Sequence, residues 1–236
     1  MKKSQIILVV AGLGVLAAGA AAAIAGPAIY RDFIAAEPAP APELQAEQNL
    51  LEPPGAPLDP ASLVGTWEVG TGSEAGYRVD EVLHGTDVTV TGRTGEVTGS
   101  LTVADDGLTL ETAELRVDVA SIATDSAQRD AYFRDRALRA DEFPTATFTL
   151  AEPVALEAPV AASAITDAAA TGDLTIAGVT NRVTVDIQFR SDGETVEAAG
   201  SIPVTFADYG VEAPNLGFVQ VEPEGKIEFD IIAAKR

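Results

Sequence analysis

From Arg182 to Arg190 the side chains alternate without a break, with Val183, Val185, Ile187 and Phe189 on one side and Thr184, Asp186 and Gln188 on the other. A period of two sends successive side chains to opposite faces of a strand, so the segment predicts a β-strand with one buried face. The same rhythm runs through Val196, Ala198, Gly200, Ile202, Val204 and Phe206, and through Val97, Gly99, Leu101 and Val103. It returns in Tyr77, Val79 and Leu83, in Ala146, Phe148 and Leu150, and in Ile227, Phe229 and Ile231. About ten such segments, mostly joined as hairpins, predict an all-β fold. The expected form is a closed antiparallel, lipocalin-like up-and-down barrel of about eight principal strands. Closure removes the strand edges that would otherwise invite aggregation.

Turns and phase breaks refine this outline. Gly65–Val69 reads as the first strand, with Trp67 packing a barrel end, and residues 75–83 as the second. Glu81 shares the apolar face of that second strand; it sits either at a rim or bulge, or as a polar group inside a lumen. His84-Gly85-Thr86 reads as a turn that leaves the histidine in solvent. Ala104-Asp105-Asp106-Gly107 is a hairpin turn in which Asp-Gly accepts positive φ. Between residues 108 and 122 the apolar positions change from even (Leu108, Leu110) to odd (Leu115, Val117, Val119), which requires a bulge near Glu111-Thr112. Gly172–Ile176 reads as a strand and Ala177–Asn181 as the turn after it. The Ala/Pro-rich residues 151–170, and residues 207–224, read as loops.

One stretch, Ser121 to Phe148, departs from the β rhythm and carries Arg129, Arg134, Arg136 and Arg139. Asp125 with Gln128 three residues later predicts the cap of a short helix, which Phe143-Pro144 ends. A charged, partly helical excursion from a barrel predicts a lid.

The first sixty residues have another character. Lys2-Lys3 precedes an uncharged run from Ser4 to Tyr30. Its apolar part, Ile6–Ile29, exceeds the roughly 20 residues needed to span a bilayer. Residues 1–30 therefore predict a single-pass transmembrane anchor, N-terminus cytoplasmic and barrel extracytoplasmic. The alternative is a signal peptide cleaved after Ala23-Ile24-Ala25, which would release a secreted domain. Residues 31–61 hold seven of the fourteen prolines and predict a semi-rigid tether. Residues 62–236 form the predicted barrel domain.

A formal charge of −21 argues against a nucleic-acid partner. Without cysteine there is no disulfide, thiol chemistry or lipoprotein anchor, and His84 is the lone histidine. The sequence shows no phosphate loop, Ser-His pair or metal-ligand cluster, so no catalytic residue, metal or cofactor is expected. Paired carboxylates leave carboxylate-based glycoside hydrolysis as the only enzymatic alternative, and those that occur together sit in turns. Several inward positions are small (Gly92, Gly99, Ala146, Gly172, Ala198, Gly200), which leaves open either a lumen or bends in the strands.

Three motifs in order carry a family resemblance: Gly92 and Gly99 within Val90–Gly99; Ser121-Ile122-x-Thr124, Arg129-Asp130 and Phe143-Pro144; and Gly172–Thr180. Over residues 63–233 the chain resembles the YceI-like family of exported lipid-binding barrels. It departs where that family carries histidines, with Gly72, Tyr132 and Ala177 in their places. The resemblance implies a polyisoprenoid-like or other amphiphilic lipid inside the barrel. Tyr77, Val79, Phe148, Phe189, Ala198, Phe206 and Phe229 would then line the lumen, while Arg129 and Asp130 would meet a polar or anionic head group. A homodimer is kept open, as is a ligand-free structural module of the cell envelope.

Overall fold

The alternating segments form eleven strands of a single antiparallel sheet: β1 (Gly65–Val69), β2 (Glu74–Leu83), β3 (Thr86–Thr94), β4 (Val97–Val103), β5 (Thr109–Asp118), β6 (Thr145–Leu150), β7 (Val154–Ala155), β8 (Thr166–Ile176), β9 (Val179–Ser191), β10 (Thr195–Thr205) and β11 (Val219–Lys235). The structure, a computed structural model, describes residues 37–44 and 55–236. The predicted anchor, residues 1–30, lies outside the described residues. Among the described residues, no helix is long and apolar enough to cross a membrane.

β1 and β2 lie end to end along β11, which pairs with β1 at Ala233–Lys235 and with β2 at Val219–Asp230. β3 continues into β4 in the same way, β3 against β2 and β4 against β1. Counted so, eight antiparallel staves close in sequence order, with β11 returning to β1 and β2. β7 is a two-residue addition to β5.

The bulge predicted from the phase change is present. Thr102 pairs with Thr112 and Val103 with Leu110, so Glu111 is the extra residue. The strand is shorter than the sequence indicates, because Val119–Ser121 tightens into a helical turn, capped where Asp118 accepts from Ala120 N. In the Ala104–Gly107 turn only Gly107 takes positive φ, 64°. Asp106 instead accepts from the backbone N–H groups of Leu108 and Thr109, a wider turn than two residues.

Two predicted loops are partly strand. β8 begins at Thr166, inside the Ala-rich stretch, where Ala168 pairs with Ile187 and Ala170 with Val185. β11 begins at Val219, and its register breaks where Val221 pairs with Glu81 and Gly225 with Val79. Glu222, Pro223 and Glu224 bulge out there, which suits a proline that cannot donate to a ladder.

One barrel end is plugged. Helix α1 (Pro60–Leu63), with Asp59 as its cap, places Leu63 over Trp67. The indole is fully buried, and its Nε1 donates to Leu63 O at 3.0 Å. Part of the proline-rich stretch also lies on the barrel rather than off it. Ala39 N donates to Thr91 Oγ1 at 3.1 Å, Arg78 donates to Ala39 O at 2.5 Å, and Leu44 is buried.

The opposite end carries the lid. Ser126, not Asp125, caps helix α2 (Ala127–Tyr132), accepting from Arg129 N at 3.4 Å. Asp125 is drawn instead to the Arg129 side chain, at 2.6 Å. The helix widens into a π-turn over Phe133–Ala137 before the chain enters β6. Such wide turns recur at functional sites. A two-bond bridge between Arg93 and Ala123 ties the lid to β3.

Candidate functional site

The inward faces of the staves enclose a cavity of about 280 Å³ beneath the lid. Small-molecule pockets run from roughly 300 to 1,000 Å³, so this is a narrow lumen. Its walls are almost wholly apolar. Tyr132, Phe133 and Leu138 of the lid and Val211 and Pro214 of the β10–β11 connection roof it. A closed barrel of eight strands is just wide enough to be filled by side chains or to hold one small ligand. Here the interior is not filled.

Of the predicted lumen residues, Tyr77, Val79, Phe148, Ala198, Phe206 and Phe229 line this cavity. Phe189 does not. It shares a face with Ala198, its direct partner across β9 and β10, but packs into the plug with Leu63, Trp67 and Val160. Strand alternation gives the side of the sheet and not the height along the barrel, hence the misplacement.

Five of the six small inward residues divide into two kinds, while a Cβ at Gly99 would strike the backbone of Glu114 on β5. Ala146 and Ala198 leave space that becomes cavity wall. Gly92, Gly172 and Gly200 instead seat aromatic rings: a Cβ at 92 would strike Tyr77, one at 172 would strike Phe148, and one at 200 would lie 2.8 Å from Phe229. Those glycines fix the tilt of rings that wall the lumen.

The polar part of the site lies under the lid. Glu81 is only 5% exposed and faces into the cavity from β2, the lumen placement left open by its position in the sequence. Its Oε1 accepts from Arg129 Nη2 at 3.2 Å, and the other branch of the guanidinium reaches Asp125. Burial pulls the Arg129 guanidinium down, but the Glu81 and Asp125 carboxylates outweigh it and hold the group above its ordinary value. The Tyr77 ring stacks on Phe133 with centroids 4.5 Å apart. Burial pushes its hydroxyl well above its ordinary value; Arg129 pulls the other way, and Asp130, Glu81 and Asp125 add to the rise.

Arg129 and Asp130, paired in the sequence reading as a head-group site, part company. Arg129 lines the cavity, whereas the Asp130 carboxylate accepts from Thr124 N at 2.9 Å and Thr124 Oγ1 at 2.7 Å. Adjacent helical residues point about 100° apart, and Asp130 thereby pins the start of the lid. The remaining lid arginines do not line the cavity: Arg134 meets Asp135 at 3.0 Å and Arg139 meets Glu142 at 3.5 Å. His84 is exposed in its turn and stacks on Phe218.

A second polar group was not visible in the sequence. Glu228, 1% exposed, lies on the outer face of β11 between Arg78 and Arg93. Gly76 is the direct partner of both Arg93 and Glu228, so no side chain stands between them. The only sequence signal was charge at outward positions of three strands whose register had to be known first.

Residues 67–233 match the family described as the YceI-like domain. The chain belongs to the YceI-like family. The resemblance carried by the three motifs thus holds over the whole barrel. No curated protein sequence matches. Among solved structures, a polyisoprenoid binding domain from Saccharophagus degradans implicated in plant cell wall breakdown is similar, with TM-score 0.59 and 18% identity over 73% of this chain and 99% of that one. Burkholderia cenocepacia BcnA is similar with TM-score 0.52 and 21% identity, over 67% of this chain and 96% of that one. At these identities the likeness is one of fold.

Proposed function

We propose that this protein binds a polyisoprenoid-like or other amphiphilic lipid, its chain in the barrel and its polar end beneath the lid. The observation that carries the reading is the apolar cavity running inside a closed barrel, with its single buried carboxylate at the lid end. Membership of the YceI-like family and the fold shared with a polyisoprenoid binding domain support it. So does the mouth. Tyr132, Val179, Leu216 and Phe218, the exposed large apolar side chains among the described residues, lie on the lid, at the start of β9 and in the connection before β11. A ligand-free spacer would gain nothing from an unfilled interior, which costs stability through lost contacts.

The protein works outside the cytoplasmic membrane, tethered by residues 1–30, in this reading. The length of the apolar run and the basic residues before it support that arrangement. A native N-terminus beginning near Gly26 would replace the anchor by a cleaved signal.

The test of lipid binding is mass spectrometry of an organic extract of the purified full chain, beside the variant Ala198→Trp. The expected result is a long-chain lipid in near-stoichiometric amount, lost when the indole fills the lumen of a protein that still melts cooperatively. Extracts empty in both proteins would refute the reading.

A further inference from the structure

Of the buried carboxylates among the described residues, Glu81 alone faces the cavity. One carboxylate oxygen accepts from Arg129; the other has no hydrogen bond among the described residues. The Arg129 charge is already met twice, by Glu81 and by Asp125. Two carboxylates thus meet one guanidinium, and the lid end of the lumen carries no uncompensated positive charge. Among the described residues, no other arginine or lysine lines the cavity.

Resting on the lipid-binding reading, we propose that the lumen selects a chain whose polar end is an uncharged hydrogen-bond donor, an alcohol or primary amide, and rejects phosphorylated forms of the same chain. An O–H or N–H can donate to the free oxygen of Glu81, a charge-assisted bond that is stronger than a neutral one. A phosphate at the same place would shed its water without gaining an unpaired cation. It would also face the buried Glu81, where like charges repel strongly, while Asp125 on the exposed side already takes up the second branch of Arg129. The arginine that marks this stretch in the sequence therefore serves as the partner of Glu81 inside the barrel, rather than to receive an anion.

The experiment titrates geranylgeraniol, geranylgeranyl diphosphate and the parent hydrocarbon phytane against radiolabelled geranylgeraniol bound to the full chain. The alcohol should compete at least about tenfold better than the diphosphate and better than the hydrocarbon. Glu81→Gln, which removes the charge and keeps the shape, should narrow the gap between alcohol and diphosphate. Asp125→Asn, on the exposed side of the ion pair, should narrow it too, and serves should Glu81→Gln fail to fold. A diphosphate that binds as well as the alcohol, or a gap unchanged in the variants that fold, overturns the selectivity while leaving the lipid-binding reading in place. If the labelled alcohol does not bind at all, the lipid-binding reading falls and the selectivity with it.

Discussion

Tyr77 and Gly92 stand directly opposite one another across β2 and β3, and the phenol ring occupies the space that a side chain at 92 would need. The same ring stacks on Phe133 of the lid. The pair therefore couples a wall glycine to the lid through one aromatic ring. Gly92→Ala should force Tyr77 off its position and cost about 1–3 kcal/mol, as overpacking does. Because the ring supports Phe133, the lid should loosen as well, read as faster hydrogen exchange over residues 127–137. In a double-mutant cycle with Tyr77→Leu the two costs should be less than additive. Additive costs would mean that the ring does not mediate the effect.

Glu228 offers a test on the outer wall. A buried carboxylate flanked by two guanidiniums is costly to break, because removing one partner strands the others. Glu228→Ala should lower the unfolding free energy by about 3–5 kcal/mol, a large fraction of a domain's stability. Urea titration followed by the fluorescence of Trp67 would measure it. Lipid retained by the folded fraction should be unchanged, since Glu228 faces away from the lumen. A loss of bound lipid from fully folded protein would contradict the separation of the two faces.

Much of the barrel was legible because alternation survives wherever one face is apolar and the other polar. Residues 183–189 and the phase change that required the bulge at Glu111 are of this kind. Residues 166–170 were not legible, since Thr-Asp-Ala-Ala-Ala carries too little contrast between faces to reveal a strand. Residues 219–224 were hidden by Pro223 and two glutamates in a bulge. The site was legible in most of its wall residues, whereas the parity of Glu81 put it on the apolar face and left a rim or bulge as open as the lumen it occupies. What parity cannot supply is height along the barrel, which moved Phe189 into the plug, or the cross-strand register, which joins Glu228 to Arg93 over Gly76. The helix cap went to Ser126 because Asp125 had a stronger partner in Arg129.

The carboxylates also predict how stability changes with pH. Burial raises the Asp230 carboxyl above its ordinary 3.8, with Glu197 and Glu74 adding to the rise and Arg190 opposing it. Its Oδ1 is buried without a hydrogen bond among the described residues. The native state thus binds this proton more tightly than the unfolded chain, so the charged form costs stability at neutral pH. That cost is relieved as pH falls through the native pKa toward 3.8. Asp230→Asn should therefore raise Tm at pH 7, with the gain shrinking toward pH 4. Asp192 has the opposite sign: the backbone N–H groups of Thr195 and Glu194 hold it below 3.8. Its contribution is present above 3.8 and lost only below it, so Asp192→Asn should lower Tm at pH 7 and still do so near pH 4. Melting curves across that range check both, and parallel pH profiles for the two variants would contradict the assignment.

Phe189 gives the last prediction, because it stands between the cavity-lining Ala198 and the plug. Its ring packs with Trp67, Leu63 and Val160. Removing the ring should open the cavity toward the plug, at a cost of up to about 3 kcal/mol, since the side chain is only partly buried. The lumen would become deeper at its closed end while the lid, Glu81 and Arg129 stay as they are. A chain held by its polar end at the lid would then have room for further carbons at its tail. Phe189→Ala should accordingly shift the co-purified lipids toward longer chains of the same head-group class, read by mass spectrometry of the extract. An unchanged chain-length distribution would mean that the tail does not reach that end. A changed head-group class would mean that selectivity does not reside at the lid.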